Sequence, residues 1–202
     1  MFVVKLNYNM KKFILTTLLL ICIVSIQSCN DDDDDDKGPT TQLAIGDFHE
    51  GGVIFYLDST GEHGLISAVR DQGFNIQWGC PTAVDFGAKG LIIGTGVQNT
   101  IDILDRCDTQ NIAADLCDTY TYDGYEDWFL PSKDELDSLY QHKDIVEETA
   151  LKHENGEIFF DVEYWSSSHD LENTVWIQSF HVGSQISEQK IIPNYVRAIR
   201  SF

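Results

Sequence analysis

The stretch that decides the fold is Asp127-Trp128-Phe129-Leu130-Pro131-Ser132-Lys133-Asp134-Glu135-Leu136. Ser132 and Glu135 have the S-x-x-E spacing of a capping box, in which each side chain bonds the other residue's backbone N–H at a helix start. Acidic residues fill the first turn, where the helix dipole favours them. An apolar stripe at helical spacing follows, formed by Leu136, Leu139 and Tyr140. The pattern predicts an amphipathic helix over residues 133–142.

The segments on either side of this helix predict strands first, then helices, then strands again. Upstream, the patterns predict a hairpin of two strands (51–57 and 64–69), a glycine-rich loop (70–97) anchored by Trp78, and short helices over 99–106 and 111–117. Downstream, three β-rich segments predict strands: Glu163–Ser168, Val175–Phe180 and Tyr195–Phe202. This order indicates an α+β fold rather than alternating βαβ units.

The first 28 residues have the composition of a signal peptide. Lys11 and Lys12 precede an apolar run over 13–26, which fits a signal-peptide core of about 7–15 residues and is short for a membrane span of about 20. The run ends in Ile26-Gln27-Ser28-Cys29, which resembles a lipobox. The sequence therefore predicts cleavage after Ser28 and lipid attachment to Cys29. The alternative is an ordinary secretory signal followed by an incidental cysteine.

Residues 29–42 predict a lipidated cysteine followed by an acidic, disordered linker, which leaves residues 43–202 as the folded domain. The six consecutive acids, Asp31 to Asp36, repel one another and favour a solvated chain. An acidic run after a lipidated cysteine is also similar to the surface-export signal of some Gram-negative outer-membrane lipoproteins. We therefore expect a lipid-anchored protein of the bacterial outer membrane, exposed at the cell surface. A plain flexible spacer is the alternative role of the run.

The charge of the chain restricts its partners. The 202 residues carry 33 acidic and 13 basic side chains, a formal net charge of −20. The acidity is not confined to the linker, because residues 43–202 still contain 27 acidic and 9 basic side chains. Nucleic acids and polyanions held by bulk electrostatics need a basic face. We expect no nucleic-acid partner, and contact with a membrane only through the lipid anchor.

The mature domain contains three cysteines, Cys80, Cys107 and Cys117. Outside the cytoplasm an odd number allows one disulfide and leaves one thiol, and three pairings are open. Cys117 shares an apolar helix face with Ala113, which favours a buried thiol there. By elimination we predict a Cys80–Cys107 disulfide.

Four motifs resemble those of one known family, and they occur in order: Gly51-Gly52-Val53-Ile54-Phe55-Tyr56, Gly124 to Leu136, Tyr164-Trp165-Ser166-Ser167-Ser168, and Val196-Arg197-Ala198-Ile199-Arg200. The stretch from Ile45 to Phe202 resembles the Lcl C-terminal domain family, named after a bacterial collagen-like adhesin. The resemblance implies a C-type-lectin-like fold, with two main helices and a small, twisted antiparallel sheet whose terminal strands are brought together. The adhesin's domain is associated with sulfated glycans, a class that the charge of this domain disfavours.

No arrangement of residues in the sequence indicates catalysis. Ser166 to Ser168 precede His169 and Asp170, but neighbouring residues on a strand point to opposite faces and are poorly placed to act on one another. No histidine has partners at zinc-binding spacing. We therefore expect a binding domain, not an enzyme, with no cofactor. Calcium is the one metal considered, through oxygen ligands in a glycine-containing loop, namely Asp123, Glu126 and Asp127.

Aromatic and polar residues beside loops form the candidate ligand-binding surface. Aromatic rings stack on sugar faces, and the surrounding polar groups can bond hydroxyls. The candidates are Asp123, Asp127, Trp128, Trp165, Ser166, Ser167 and Ser168, whereas strand alternation predicts a buried Trp176. The expected partner is a glycan, neutral or cationic, or a protein. The alternatives are a structural or envelope-assembly lipoprotein that binds no small ligand and, third, an enzyme.

Overall fold

The computed structural model describes residues 42–80 and 87–202, which form an α+β fold. The predicted signal peptide, Cys29 and nearly all of the predicted linker lie outside the described residues. The strands in chain order are β1 (Phe48–His49), β2 (Gly52–Leu57), β3 (Gly64–Ser67), β4 (Gly73–Ile76), β5 (Glu163–Leu171), β6 (Thr174–Ser179), β7 (Gln185–Gln189), β8 (Asn194–Val196) and β9 (Ile199–Ser201). The helices are α1 (Gly96–Leu104), α2 (Ala113–Asp118), α3 (Lys133–Gln141) and α4 (Lys143–Ala150).

The described strands form two sheets. The first has the order β1-β2-β3-β9 and is antiparallel throughout, and its β2–β3 hairpin confirms the predicted one. The second has the order β4-β8-β5-β6-β7 and is mixed, because β5 and β8 run parallel. The α+β class is therefore confirmed, with two sheets and four helices in the described residues where one small antiparallel sheet and two main helices were expected. The predicted last strand divides at Arg197 and Ala198, so that β8 joins the second sheet and β9 the first.

Helix α3 begins as the capping box predicts. The Glu135 backbone N–H donates to Ser132 Oγ at 3.4 Å, and the Ser132 N–H donates to Glu135 Oε2 at 2.6 Å. Glu135 Oε1 also accepts from the Gly94 N–H at 2.7 Å, which ties the loop before α1 to this helix start. Helix α4 follows almost at once and was not predicted. It buries only Val146 and Ala150, a stripe too narrow to identify from sequence.

The core lies between the sheets and the helices and contains three fully or almost fully buried tryptophans, Trp78, Trp128 and Trp165. Cys80 and Cys107 form a disulfide at its edge, and Cys117 is a buried free thiol. Burial raises the pKa of the Cys117 thiol well above its ordinary value, which keeps it protonated and unreactive. Within residues 42–80 and 87–202, no helix is long and apolar enough to span a membrane.

Candidate functional site

The two tryptophans that sequence reasoning placed at a ligand surface are core residues. Trp128 is 2% exposed and Trp165 is 0% exposed. The Trp128 indole N–H donates to the Tyr125 carbonyl at 3.1 Å, and the Trp165 indole N–H donates to the Ile76 carbonyl at 2.7 Å. Both rings are buried in the core, and both indole N–H groups are bonded to backbone carbonyls, so neither ring can stack on a ligand. Trp176, predicted to be buried, is instead partly exposed, with Lys133 Nζ 5.0 Å from its ring centre.

The three predicted serines are buried as well, so their assignment to a ligand surface is also wrong. Ser166 Oγ donates to the Trp176 carbonyl at 2.7 Å, and Ser168 Oγ donates to the Gly90 carbonyl at 2.6 Å. Ser167 Oγ accepts from the Asn99 side-chain amide at 3.2 Å. These bonds join β5 to β6, to helix α1 and to the loop before α1, because buried hydroxyls need partners within the protein.

The two predicted aspartates are exposed but do not form a site together. Arg200 donates to both oxygens of Asp127, at 2.6 and 2.9 Å, and these hydrogen bonds hold the pKa of Asp127 below its usual value. Asp123 lies in a turn with a positive φ of 51°. Among the residues that the structure describes, no three acidic, histidine or cysteine side chains are grouped to hold a metal ion. A calcium site at Asp123, Glu126 and Asp127 therefore finds no support among the described residues and stays a prediction.

The structure brings together a different set of residues, which we call the aromatic cleft. It has a volume of about 440 Å³ and is lined by Asp71, Gln72, Gly73, Phe74, Glu157, Phe160 and Tyr195. Its rings lie near one another, with the Tyr195 centre 6.1 Å from that of Phe74 and 5.4 Å from that of Phe160. Phe74 is 71% and Phe160 45% exposed, and exposed aromatic rings grouped around one cleft are typical of a binding site.

Sheet pairing explains how distant residues meet in this cleft. Phe74 lies on β4 and Tyr195 on β8, and these neighbouring strands are antiparallel, with Gly73 opposite Val196. Phe160 belongs to the segment between α4 and β5, which the Glu157 N–H anchors by donating to the Val69 carbonyl at 2.9 Å. The three rings of the cleft therefore come from two neighbouring strands and one loop segment.

One lining residue of the cleft, Asp71, belongs to a buried ion pair. Arg197 is 0% exposed; its Nε donates to Asp71 Oδ1 at 2.7 Å and its Nη1 donates to the Ala68 carbonyl at 3.1 Å. The Tyr164 hydroxyl donates to Asp71 Oδ2 at 2.9 Å. Burial raises the pKa of Asp71, while Arg197 and Tyr164 act in the opposite direction. Both Asp71 oxygens are thus engaged, so that Asp71 holds the cleft rigid.

The polar residues on the rim are held differently. The Gln72 side-chain amide donates to the Arg70 carbonyl at 2.8 Å, and its oxygen accepts a short hydrogen bond from the Ala198 N–H. Glu157 is exposed to solvent, and its carboxylate forms no salt bridge within residues 42–80 and 87–202, so it can accept from a ligand. The cleft therefore offers aromatic faces and a carboxylate acceptor.

The aromatic cleft was not predicted from the sequence. One signal was present: Phe159 and Phe160 are adjacent, so an extended chain must turn one inward and the other outward, and Phe159 is 5% exposed. Phe74 lies in a glycine-rich stretch whose composition predicts a loop, and Tyr195 begins a segment whose pattern predicts a strand. Their proximity depends on strand pairing across 121 residues of sequence, which no local pattern encodes.

Comparison with known proteins identifies a family and similarity to solved structures. The model of the Lcl C-terminal domain family matches residues 67–200. A crystal structure of a fimbrial protein from Bacteroides ovatus ATCC 8483 is similar, with a TM-score of 0.52 and 14% identity, over 80% of this chain and 45% of that one. The chain thus spans less than half of that protein, and the likeness concerns the fold alone. No curated protein matches the sequence.

Proposed function

The chain belongs to the Lcl C-terminal domain family, and we propose that it is an adhesin-like, surface-exposed lipoprotein whose domain binds a glycan and catalyses no reaction. The observation that carries this proposal is the aromatic cleft. The family's namesake is an adhesin, and the similar solved structure is a fimbrial protein, which supports a role at the cell surface. A C-type-lectin-like fold is part of the proposal, supported by the pairing of the last strand, β9, with β3 near the start of the domain.

Stacking is the main source of binding that the cleft offers. Phe74, Phe160 and Tyr195 present ring faces to a concave space of a size that suits a small ligand. A sugar has an apolar face of C–H groups and a rim of hydroxyls, so that rings and polar groups can act on it together. Hydroxyls of the sugar would donate to the Glu157 carboxylate. Asp71 already accepts from Tyr164 and Arg197, so Glu157 is the more available of the two carboxylates that line the cleft.

The charge of the domain supports a neutral or cationic glycan over a sulfated one. Residues 43–202 carry 27 acidic and 9 basic side chains, and Asp71 and Glu157 line the cleft itself. A polymer of sulfated sugars would be repelled over most of this surface. Neutral sugars avoid that repulsion, and their binding is expected to persist in moderate salt.

Replacing Phe74 by alanine is expected to weaken glycan binding about tenfold, because an aromatic contact is lost. The measurement is retention of the soluble domain on an array of neutral, amino and sulfated glycans, followed by titration of the best-retained glycan. Val182→Ala is the matched control, since Val182 is 65% exposed and does not line the cleft.

Two results of this experiment would contradict the proposal. Unchanged affinity in a folded Phe74→Ala variant would show that the aromatic cleft is not the glycan site. Preferential retention on sulfated glycans, with a steep loss of binding in salt, would contradict the charge argument.

The anchor is the second part of the proposal, and it depends on the sequence pattern around Cys29. Lipid chains on Cys29 would hold an acidic domain near a membrane that otherwise repels it. We expect the mature N-terminus to be an acylated Cys29, detected by mass spectrometry of the membrane fraction, and Cys29→Ser to release the protein. Ser28→Ala, which keeps a small residue before the cleavage point, is the control. An unmodified N-terminus in the membrane fraction would contradict the prediction.

A second candidate, a structural envelope protein without a small ligand, is favoured by one other surface. Helix α1 buries the polar Asn99 and Thr100 while its apolar Val97 and Ile101 are 43% and 44% exposed. Nearby in sequence, Ile92 is 65% exposed. An exposed apolar group of this kind suits contact with another protein. Loss of a co-purifying partner in Val97→Ser/Ile101→Ser, with glycan binding absent in the wild type, would favour this candidate.

A further inference from the structure

A second cleft adjoins the aromatic cleft and shares a wall with it. This second space, the polar cleft, has a volume of about 410 Å³ and is lined by Arg70, Asp71, Gln72, Leu116, Thr119, Tyr120 and Glu157. Three of these residues, Asp71, Gln72 and Glu157, also line the aromatic cleft. The two clefts therefore meet along one wall, which Arg197 and Tyr164 hold rigid through Asp71.

The chemistry of the polar cleft differs from that of its neighbour. It contains one ring, Tyr120, and the Arg70 guanidinium lies 5.9 Å from the centre of that ring. Arg70 forms no salt bridge with any residue in the described ranges, although the chain is rich in carboxylates. Behind the shared wall, Arg197 Nη2 is buried and without a hydrogen-bond partner in the same ranges. Of these two arginines, only Arg70 lines the cleft and can offer its guanidinium donors to a ligand.

Arg70 and Glu157 give this cleft complementary groups for hydroxyls. A guanidinium offers several N–H donors in a fixed plane, and a carboxylate offers acceptors only. Neighbouring hydroxyls of a sugar can accept from the first and donate to the second. A polyanion gains little here, because the lining carries two carboxylates, Asp71 and Glu157, against the single guanidinium of Arg70.

We propose that the two clefts form one groove that binds at least two consecutive units of a neutral, linear oligosaccharide. The aromatic cleft stacks on one sugar ring, and the polar cleft binds the hydroxyls of the next. This inference rests on the proposed glycan-binding function. It adds the minimum chain length of the ligand and the separate role of each cleft in binding it. Single sugars fill only the aromatic half, so that Arg70 contributes to affinity only when a second unit is present.

Affinity as a function of chain length tests the inference. The probes are cello-, xylo- and manno-oligosaccharides of one to six units, titrated against the soluble domain by calorimetry. We expect affinity to rise about tenfold between one unit and two or three units and then to level off, as hydrogen bonds to the charged groups form. Arg70→Ala is expected to remove that rise without changing the affinity for the single sugar. Phe74→Ala is expected to weaken binding at every length.

The control variants distinguish failure of the two-cleft groove from failure of glycan binding as a whole. Arg70→Lys keeps the charge but loses the planar donors and is expected to recover only part of the rise, and Lys152→Ala, 61% exposed on the surface, is expected to change nothing. Equal affinity at all lengths, or an equal loss in Arg70→Ala for single and longer sugars, overturns the inference and leaves the glycan function standing. No binding by any of the three series, with none on the glycan array, overturns both.

Discussion

Replacing Asp71 by alanine is expected to destabilise the domain by about 3–5 kcal/mol, because it leaves a buried charge without its partner. Arg197 is fully buried, and Asp71 Oδ1 lies 2.7 Å from its Nε. The Tyr164 hydroxyl would lose its acceptor in the same variant. Of the described partners of the guanidinium, the Ala68 carbonyl and the Phe159 ring, 4.0 Å from Arg197 Cζ, would remain. Urea unfolding followed by tryptophan fluorescence measures the change.

A double variant distinguishes a lost ion pair from a general disturbance. Asp71→Ala/Arg197→Met removes both charges, and it is expected to be more stable than Asp71→Ala alone, because an apolar side chain replaces the unpaired cation. Asp108→Ala is the control for loss of an exposed acidic residue and should change the free energy of unfolding by less than about 0.5 kcal/mol. A cost below about 1 kcal/mol for Asp71→Ala would show that Arg197 does not depend on this partner.

This pair also explains why the end of the chain departs from its predicted single strand. Asp71 precedes β4, and Arg197 follows β8, its neighbour in the sheet. The pair therefore fixes the point where the chain leaves β8 and crosses to β9 in the other sheet. In the sequence, Arg197 lies inside a β-rich segment, where an arginine is expected to face water because it is almost never fully buried without a partner. That partner lies 126 residues away.

Features whose partners are close in sequence could be predicted. The capping box joins Ser132 to Glu135 three residues later, and the β2–β3 hairpin closes over a short turn. Three cysteines allow three pairings, and the predicted pair, Cys80 and Cys107, is the one that the structure contains. In each case a few residues or a small number of combinations limit the outcome.

The candidate site could not be predicted because exposure of a ring depends on tertiary packing. Trp128 and Trp165 lie beside predicted loops, yet their indole N–H groups find backbone carbonyls inside the core. Phe74 is hydrophobic and would ordinarily be assigned to the core, yet it is 71% exposed. Periodicity identifies which residues share a face but does not tell which face a second sheet or a helix will cover.

Replacing Trp165 by alanine is expected to cost about 3–5 kcal/mol of unfolding free energy, the usual range for a large aromatic side chain removed from a core. The variant also leaves the Ile76 carbonyl without the indole donor now 2.7 Å away. Trp176→Ala is the matched control, because that ring is only partly buried, and it should cost about 1 kcal/mol. The measurement is again urea unfolding, with far-UV circular dichroism as the probe, since the substitutions change the fluorescence.

Measuring unfolding free energy and glycan affinity in variants of Trp165 and of Phe74 distinguishes a residue that stabilises the core from one that contacts the ligand. Trp165→Phe keeps a ring in the core and should yield enough folded protein for binding measurements, with glycan affinity per folded molecule equal to that of the wild type. Phe74→Ala should behave in the opposite way: its unfolding free energy should stay within about 0.5 kcal/mol of the wild type, while its glycan affinity falls. If Trp165→Phe weakened binding in a domain of unchanged stability, the ring would have to reach the ligand. Its complete burial and its bond to Ile76 predict that it does not.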